Sequence, residues 1–356
     1  MVVLRKKKIS LKDVASKSQT SIATVSKVLN NIHGSMISKK KRGLIKKIAK
    51  ELCYRPNRNA RLFSQGKSGC IAAIFPVRIF KDFSWRTASS LTFELFSGVA
   101  NFFSEVDYTT ILVFSPDKRV KDFLRKELLH EQKVDGVLFF GGNEELSMGS
   151  EFSKYGIPSV SFDWRAPEFG IPLIEDDPYK GLLGAVKSLS NFRHRRVGCI
   201  YLSESLEEQH VIKRKEIFLS LCAKNGIEVD LEACLPALDE TDSYLLTQNL
   251  AKKGKMPTAL FYTSDHFAIL GIRALMEMGK NVPQDVSIIG YDDASYSIHS
   301  PVPLSTIRVP RKEIGRAAGK LLLELRENRE QQPNRISLSS KWIERASIGE
   351  NLNSSK

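Results

Sequence analysis

The chain has 356 residues, of which 42% are hydrophobic and 9% aromatic; this is typical of a globular protein of two or three domains. No apolar run approaches the roughly 18 residues of a membrane-spanning helix, and the basic N-terminus lacks the apolar core of a secretory signal. Five scattered cysteines without a C-x-x-C pair favour a reduced, cytoplasmic protein over a disulfide framework or a zinc site.

The net charge of +14 is concentrated at one end of the chain. Residues 1–68 contain 18 Lys and Arg against two acids, Asp13 and Glu51, so this segment carries +16 and the remaining residues carry −2. A disordered basic tail is one interpretation, but regular apolar spacing within the segment disfavours it. A compact positive module on a near-neutral body predicts binding to a polyanion.

The basic segment has the pattern of three short helices. Ser10 with Asp13 predicts the start of a first helix, either Thr20 or Ser21 can cap a second, and Ser38 can cap a third that Pro56 ends. Apolar spacing predicts the buried faces of the second and third helices, formed by Ile22, Val25, Val28 and Leu29, and by Leu44, Ile45, Ile48, Ala49 and Leu52. Two short helices joined by a tight turn and packed on a third make a helix-turn-helix headpiece.

The outer face of the second helix has short side chains. It presents Ala23, Thr24, Ser26, Lys27 and Asn30. A helix that enters a major groove about 12 Å wide cannot carry bulky groups on that face. Lys27 is the best candidate for a donor to guanine, and the hydroxyls can reach phosphates or bases.

The stretches "ISLKDVASKSQTSIATVSKVLNN" and "ELCYRPNRNARLFSQGKSG" resemble the head and hinge of the lactose repressor family of bacterial transcriptional regulators. The resemblance implies that residues 57–65 form a hinge that folds into a short helix in the minor groove. The family's leucine wedge is replaced by Phe63, preceded by Leu62, and either side chain can be the wedge. The predicted DNA contacts are Ser10, Thr20, Ser21, Ile22, Ala23, Thr24, Ser26, Lys27, Asn30, Tyr54, Asn57, Arg58, Arg61, Leu62 and Phe63.

Beyond Cys70 the chain alternates strand-like and helical stretches in two series. The first series includes "CIAAIFP" and "VDGVLFF", and the second includes "VGCIYLS" and "VSIIGYDD". Such alternation predicts two α/β subdomains with parallel, doubly wound sheets, and a ligand crevice between them at the carboxyl ends of the strands.

The resemblance extends through "VPQDVSIIGYDDASYSIHSPVPLSTIRVPRKEIGRAAGKLLLELRE" and implies a periplasmic-binding-protein-like body. The chain of such a body crosses between its lobes three times, here near 172–176, 300–306 and 332–338. The predicted domains are a headpiece (1–56), a hinge (57–68) and a body (69–356), whose N-subdomain spans 69–173 and 303–334 and whose C-subdomain spans 174–302 and 335–350.

Position by position, the resemblance also implies an effector site. Asp163, Arg214 and Asp292 match residues that the family uses on ligand hydroxyls, and Ser264 stands where many members have asparagine. Carboxylates and arginines suit a polyol, because they pair with adjacent hydroxyls and ring oxygens. The full predicted set is Trp85, Asp163, His210, Arg214, Ser264, Asp265 and Asp292. The effector is a sugar, a sugar phosphate or a nucleoside, and it can either induce or co-repress.

Catalytic motifs are lacking. "QGKSG" resembles a phosphate-binding loop, but Arg61 stands where its first glycine is required, and there is no G-x-S-x-G, no H-E-x-x-H and no metal-spaced histidine pair. An enzyme fused to a basic arm and a secreted sugar-binding protein are the alternatives. We favour a cytoplasmic repressor that is not an enzyme, needs no metal or cofactor, and binds a palindromic operator as a homodimer, with a tetramer left open.

Overall fold

The computed structural model describes residues 9–30, 37–54, 66–77, 84–130, 133–202, 209–235, 240–253, 256–327 and 334–351. The chain divides into two compact units, a headpiece of residues 1–68 and a body of residues 69–356. Within the described ranges, no helix is both long and apolar enough to cross a membrane.

The headpiece contains the three predicted helices, α1 (Leu11–Lys17), α2 (Ile22–Leu29) and α3 (Lys39–Glu51). Each begins at a serine whose hydroxyl accepts a backbone N–H three residues later, and these caps are Ser10, Ser21 and Ser38. At the first cap the Ser10 backbone N–H donates to Asp13 Oδ2 at 2.8 Å, which completes a capping box. Ser21, not Thr20, therefore caps α2.

The headpiece core is small and apolar. It consists of Val14, Ala15, Val25, Val28, Ile45, Ile48 and Ala49. Two predicted core residues, Ile22 and Leu44, are instead 48% exposed. Ile22 is the first residue of α2, and Leu44 lies on the edge of the stripe that Ile45 and Ile48 define, so neither side chain reaches the centre of a three-helix core.

The body contains two parallel sheets. The strands of the first sheet are β1 (Cys70–Pro76), β2 (Thr109–Ser115), β3 (Gly136–Phe139), β4 (Ser159–Ser161), β5 (Leu173–Asp177) and β11 (Arg335–Ser339), in the order β11-β5-β4-β3-β1-β2. Those of the second are β6 (Arg196–Leu202), β7 (Glu228–Leu235), β8 (Ala259–Tyr262) and β9 (Ser287–Ile289), in the order β7-β6-β8-β9, and a separate antiparallel pair joins β10 (Thr306–Arg308) to β12 (Lys341–Ile343).

Helices alternate with these strands. They are α4 (Ser84–Glu105), α5 (Val120–Leu124, continued by a π-helical turn over Arg125–Leu129), α6 (Asn143–Leu146), α7 (Gly149–Lys154), α8 (Tyr179–Asn191), α9 (Gln209–Lys224), α10 (Glu240–Lys252), α11 (Asp265–Glu277) and α12 (Arg311–Glu327). The largest apolar cluster of the body contains residues of both lobes, because helices such as α8 and α12 pack beside the segments that cross between the sheets.

The crossings fall later than the sequence predicts. β5 and β11 both belong to the first sheet and pair in parallel, so the first and third crossings follow residues 177 and 339, whereas the prediction placed 174–177 and 335–339 in the C-subdomain. β10 bridges the second sheet at Asp292 and Arg308, so the middle crossing lies between 308 and the start of α12. The prediction missed these positions because both lobes have strands of the same composition.

α4 and α12 pack closely because glycines line their contact. A Cβ on Gly315 would lie 2.1 Å from the Leu95 carbonyl oxygen, and a Cβ on Gly98 would lie 2.1 Å from the Lys312 carbonyl oxygen. Neither backbone oxygen can move without breaking its helix, so the two helices are held at a fixed separation.

We predict opposite effects of alanine at two helical glycines. Gly315→Ala forces α12 away from α4 and should lower the free energy of unfolding of the body by about 1–3 kcal/mol. Gly43→Ala, where nothing lies within 4 Å, should stabilise the headpiece by about 0.4–1 kcal/mol. All three tryptophans lie beyond residue 68, so their fluorescence reports the body in urea unfolding. A Gly315→Ala midpoint equal to that of the parent chain would contradict the packing described above.

Candidate functional site: a groove-sized helix face and an interlobe cleft

The outer face of α2 is exposed and, apart from Ile22 and Lys27, carries short side chains. Ser21, Ile22, Ala23 and Lys27 are exposed, while Val25 and Val28 on the opposite face are fully buried. Several of the predicted hydroxyl contacts are held by local hydrogen bonds, Ser21 to Thr24 at 2.8 Å and Asn30 Nδ2 to Ser26 Oγ at 3.2 Å. The face is therefore preorganised and has the width of a single narrow helix.

Three other predicted DNA contacts have structural partners. Ser10 caps α1, Thr20 shares a hydrogen bond with Ser18 at 2.9 Å, and Tyr54 is half-buried against the headpiece core. The remaining predicted contacts, Asn57, Arg58, Arg61, Leu62 and Phe63, lie outside the described residues. Lys39, Lys40 and Lys41 are exposed in the first turn of α3, where they add positive charge to the same unit.

The body has a cavity of about 830 Å³ between its lobes. One side is formed by segments that follow strands of the first sheet, such as Gly141–Glu144 after β3 and Phe162–Arg165 after β4, and by the first turn of α12, which packs on that sheet. The other side is formed by α9. The cavity thus occupies the carboxyl ends of parallel strands, where the sequence places the ligand crevice.

The structure brings three of the seven predicted effector residues to the cavity wall, namely Asp163, His210 and Arg214. Trp85 lies in the first turn of α4, and its side chain is outside the described part of the chain. Ser264, Asp265 and Asp292 do not line the cavity.

Asp163 is paired within the wall of the cavity. Arg165 donates from Nε to Oδ1 at 2.9 Å and from Nη2 to Oδ2 at 2.6 Å, and its backbone N–H donates to Oδ1 at 3.0 Å. Burial opposes ionisation of this carboxyl, but the hydrogen bonds and the positive charge of Arg165 together outweigh it and hold the pKa of Asp163 below its usual range. The pair presents a carboxylate and a guanidinium side by side, so the carboxylate can accept a hydrogen bond from a ligand while the guanidinium donates one to it.

Arg214 lies in a stack at the back of the cavity. Its guanidinium carbon is 3.8 Å from the ring centre of Tyr291, and its Nη1 donates to the Thr263 carbonyl oxygen at 3.2 Å. Tyr291 is fully buried and donates its hydroxyl to Asp176 Oδ2 at 2.6 Å. Although burial opposes its ionisation, the positive charge of Arg214 lowers the pKa of Asp176.

Asp292 holds the arginines of the cavity rather than lining it. Arg311 donates to the Asp292 carboxylate and to the Asp292 carbonyl oxygen, both at 2.7 Å, and Arg214 Nη1 lies 3.7 Å from the same carboxylate. The backbone of Asp292 has a φ of 123°, which is unfavourable for a residue with a Cβ. This strain is tolerated because its N–H donates to the Ile307 carbonyl oxygen and its side chain is fixed by two cations.

Asp265 has a structural role. It is fully buried and accepts from the Ala294 N–H at 2.8 Å, from the Ser297 hydroxyl at 2.5 Å and from the Thr306 hydroxyl at 2.5 Å. Burial and the charge of Asp292 raise its pKa to about 7. The prediction that Asp265 faces a ligand is therefore wrong, because its partners are the loop that leads from β9 to β10. Ser264 precedes Asp265 as the N-cap residue of α11 and does not line the cavity.

Sequence reasoning missed five residues of the site, Arg165, Asp176, Lys213, Tyr291 and Arg311. The adjacency of Arg165 to Asp163 was a usable signal. Arg311 approaches Asp292, and Asp176 approaches Tyr291, only because strands from the two lobes end at one edge. The local sequence around these residues does not reveal that proximity. Across the described residues, no group of three His, Cys, Asp or Glu side chains is placed to hold a metal ion.

Two family models match the chain. "Bacterial regulatory proteins, lacI family" matches residues 10–57, and "Periplasmic binding protein-like domain" matches residues 186–348. The first covers the headpiece helices and the second covers most of the second lobe together with α12.

Two relatives that match over nearly their full length are named as repressors. The chain is 30% identical over 349 residues to the HTH-type transcriptional repressor PurR of Haemophilus influenzae, covering 95% of this chain and 98% of that protein. It is 28% identical over 344 residues to the ribose operon repressor of the same species, with the same coverage. A crystal structure of the Lac repressor dimer bound to operator and the anti-inducer ONPF matches with a TM-score of 0.74 at 21% identity, over 96% of this chain and 100% of that one.

We predict that His210 is neutral at pH 7. Its side chain is exposed to the cleft, yet desolvation by the surrounding cleft wall and the neighbouring charge of Arg214 lower its pKa from 6.5 to about 4. The folded state therefore binds a proton at His210 less readily than the unfolded state does. The contribution of the neutral His210 ring to stability is lost as the pH falls from about 6.5 to about 4. Proton NMR of the His210 ring in comparison with His210→Gln would give the midpoint, and titration near 6.5 would contradict the assignment.

Proposed function

Because the chain belongs to the lacI family of bacterial regulatory proteins, we propose that a dimer of it binds a palindromic operator and changes its affinity when a neutral small molecule occupies the interlobe cleft. The observation that carries this proposal is the exposed, short-chained face of α2 within a unit of charge +16, joined to a body with a cleft. A protein that binds the chromosome of a bacterium acts in the cytoplasm. The proposal assigns the cleft to binding and involves no catalytic step.

In the proposed complex α2 lies in the major groove. Ala23 permits close approach or contact with a thymine methyl, and Lys27 donates to a guanine edge. The lysines that begin α3 contact phosphates, which supply affinity without choosing a sequence. We place the hinge at residues 57–68, with Leu62 or Phe63 as the minor-groove wedge and with Arg58 and Arg61 on the backbone or groove floor.

One headpiece reads one half-site, so a palindrome requires two copies of the chain related by a twofold axis. The operator-bound dimer of the structurally similar Lac repressor supports this arrangement. The role of the body is then to hold two headpieces at the spacing of the half-sites.

The charge balance of the cleft favours a neutral effector. Its wall contains five carboxylates, Asp117, Glu144, Asp163, Glu175 and Asp176, and four cations, Arg165, Lys213, Arg214 and Arg311. Each of the four cations lies against a carboxylate: Arg165 at Asp163, Lys213 at Glu175, and Arg214 and Arg311 at Asp292. A phosphate would enter a site with no excess positive charge, so we favour a sugar or a nucleoside over a sugar phosphate.

Within the cleft we assign the main polar contacts to Asp163, Arg165 and Arg214, with Trp164 and Phe162 as apolar walls. Asp292 acts through the arginines that it holds. The name of the ribose operon repressor is consistent with a sugar effector.

We predict that two lysines differ in what they contribute to DNA binding. Lys27→Ala should alter which bases are preferred, because Lys27 faces the groove. Lys40→Ala should weaken all sequences alike and reduce the slope of log affinity against log salt by about one. Selection from random duplexes followed by salt titration measures both effects, with Lys224→Ala in the body as the control. If both variants lost the same affinity for selected DNA as for random DNA, the proposed difference between Lys27 and Lys40 would be contradicted.

We predict that neutral ligands stabilise the body and that their phosphates do not. Thermal unfolding with a panel of pentoses, hexoses and nucleosides, each paired with its phosphate ester, should give shifts with neutral members only. Asp163→Asn should reduce the shift, since it removes a carboxylate from the wall, whereas Asp230→Asn, which removes an ion pair with Arg196 outside the cleft, should not. A larger shift with a phosphate ester would overturn the assignment of a neutral effector.

A further inference from the structure

We propose that α12 is a rigid rod that links the effector cleft to the point where the body joins the hinge, with Arg311 and Arg326 as the positioning residues at its two ends. The proposal rests on the proposed function, since it explains how occupancy of the cleft reaches the operator-binding unit. All the contacts that support it lie within the body.

The first end of the rod lies in the cleft. Arg311 is the first residue of α12, lines the cavity, and donates twice to Asp292 at 2.7 Å. α12 packs on the first lobe, against α4 and the strands β3, β4 and β5, whereas Asp292 follows the second sheet. The Arg311–Asp292 pair is therefore a link between lobes, and a ligand that moves one lobe against the other acts on this end of α12.

The second end of the rod lies beside the first residue of the body. Arg326, one residue before the end of α12, donates from Nη2 to Asp135 Oδ1 at 3.0 Å and from Nη1 to the Tyr108 hydroxyl. The other oxygen of Asp135 accepts the backbone N–H of Gly69 at 2.8 Å. Gly69 is the residue at which the chain enters β1 from the predicted hinge, so one carboxylate connects α12 to that entry.

These contacts are buried enough to be specific. The Asp135 side chain is 6% exposed and that of Arg326 is 20% exposed. A buried carboxylate without a partner is unfavourable, so displacement of Arg326 leaves Asp135 to reorganise around Gly69. A shift of the guanidinium by about 1 Å would be enough to lengthen a 3.0 Å hydrogen bond beyond useful range.

The helix between the two ends is stiff. Its 17 residues span roughly 25 Å at 1.5 Å per residue. Gly315 and Gly319 bring it into direct contact with the backbone of α4 and the ring of Phe102, and Ile314, Ala318 and Leu322 are buried beneath it. A helix packed this closely cannot bend, so a displacement of Arg311 moves the whole helix and therefore Arg326.

A double-mutant cycle on operator binding tests the rod. The probe is a labelled duplex of the palindrome that the full chain selects from random DNA, and the variants are Arg311→Met, Arg326→Met and both together. The matched control is Arg316→Met, which removes an exposed ion pair to Glu105 from the same helix. Arg326→Lys serves as the conservative variant.

We expect Arg311→Met to change the operator Kd by about threefold or more, and to have less than half that effect, on the logarithmic scale, in the Arg326→Met background. In the Arg316→Met background its full effect should persist, and Arg326→Lys should restore part of the coupling. Additive effects of Arg311→Met and Arg326→Met, or no effect of Arg311→Met, would overturn the proposal.

Hydrogen exchange gives a readout that does not need DNA. We expect the Gly69 amide to exchange faster in both Arg326→Met and Arg311→Met, by a larger factor than the core amides of the body, and at the parent rate in Arg316→Met. Loss of stability alone would accelerate exchange of Gly69 and of the core amides by the same factor. If the chain selects no palindrome, the proposed function fails. The Gly69 exchange rate then still decides whether the two ends of α12 are coupled, and an unchanged rate in Arg311→Met overturns the rod.

Discussion

The buried carboxylate of Asp292 is the constraint on which the geometry of the body depends. It holds Arg311 at 2.7 Å and Arg214 at 3.7 Å, and these cations come from opposite sides of the cleft. Buried charges must stay paired, so the lobes cannot separate at this point without exposing all three groups to water together. The strained backbone of Asp292, the stack of Arg214 on Tyr291 and the hydroxyl of Tyr291 on Asp176 all follow from keeping that arrangement.

The two units use charge in different ways. In the body, the cations of the cleft form ion pairs with carboxylates that stabilise the fold. The net charge beyond residue 68 is only −2. In the headpiece, two acids accompany 18 cations, so most of that charge has no carboxylate to neutralise it within the unit. Sensitivity to salt is therefore expected to reside in the headpiece, and ligand chemistry in the body.

Local patterns predicted the headpiece well and the cleft only in part. The caps at Ser10 and Ser38 and the buried Val25 and Val28 depend on neighbours within four residues, which a sequence displays directly. Asp265 was predicted to contact the ligand from the family resemblance, as the neighbour of Ser264, but its partners are some 30 to 40 residues away. The same reason explains why β5 and β11 were assigned to the other lobe: their pairing joins residues more than 160 positions apart, which no local pattern reveals.

The separation of the two faces of α2 affects how the DNA sequence preference of such a protein can evolve. Val25 and Val28 secure the helix, whereas Ala23 and Lys27 contribute nothing to the apolar core of the headpiece. Substitutions at the outer positions thus leave the fold almost untouched, because exposed side chains away from caps and cores have small effects on stability. A duplicated copy of this chain could acquire a new regulatory target through two or three such changes, while its cleft and its folding stay as they are.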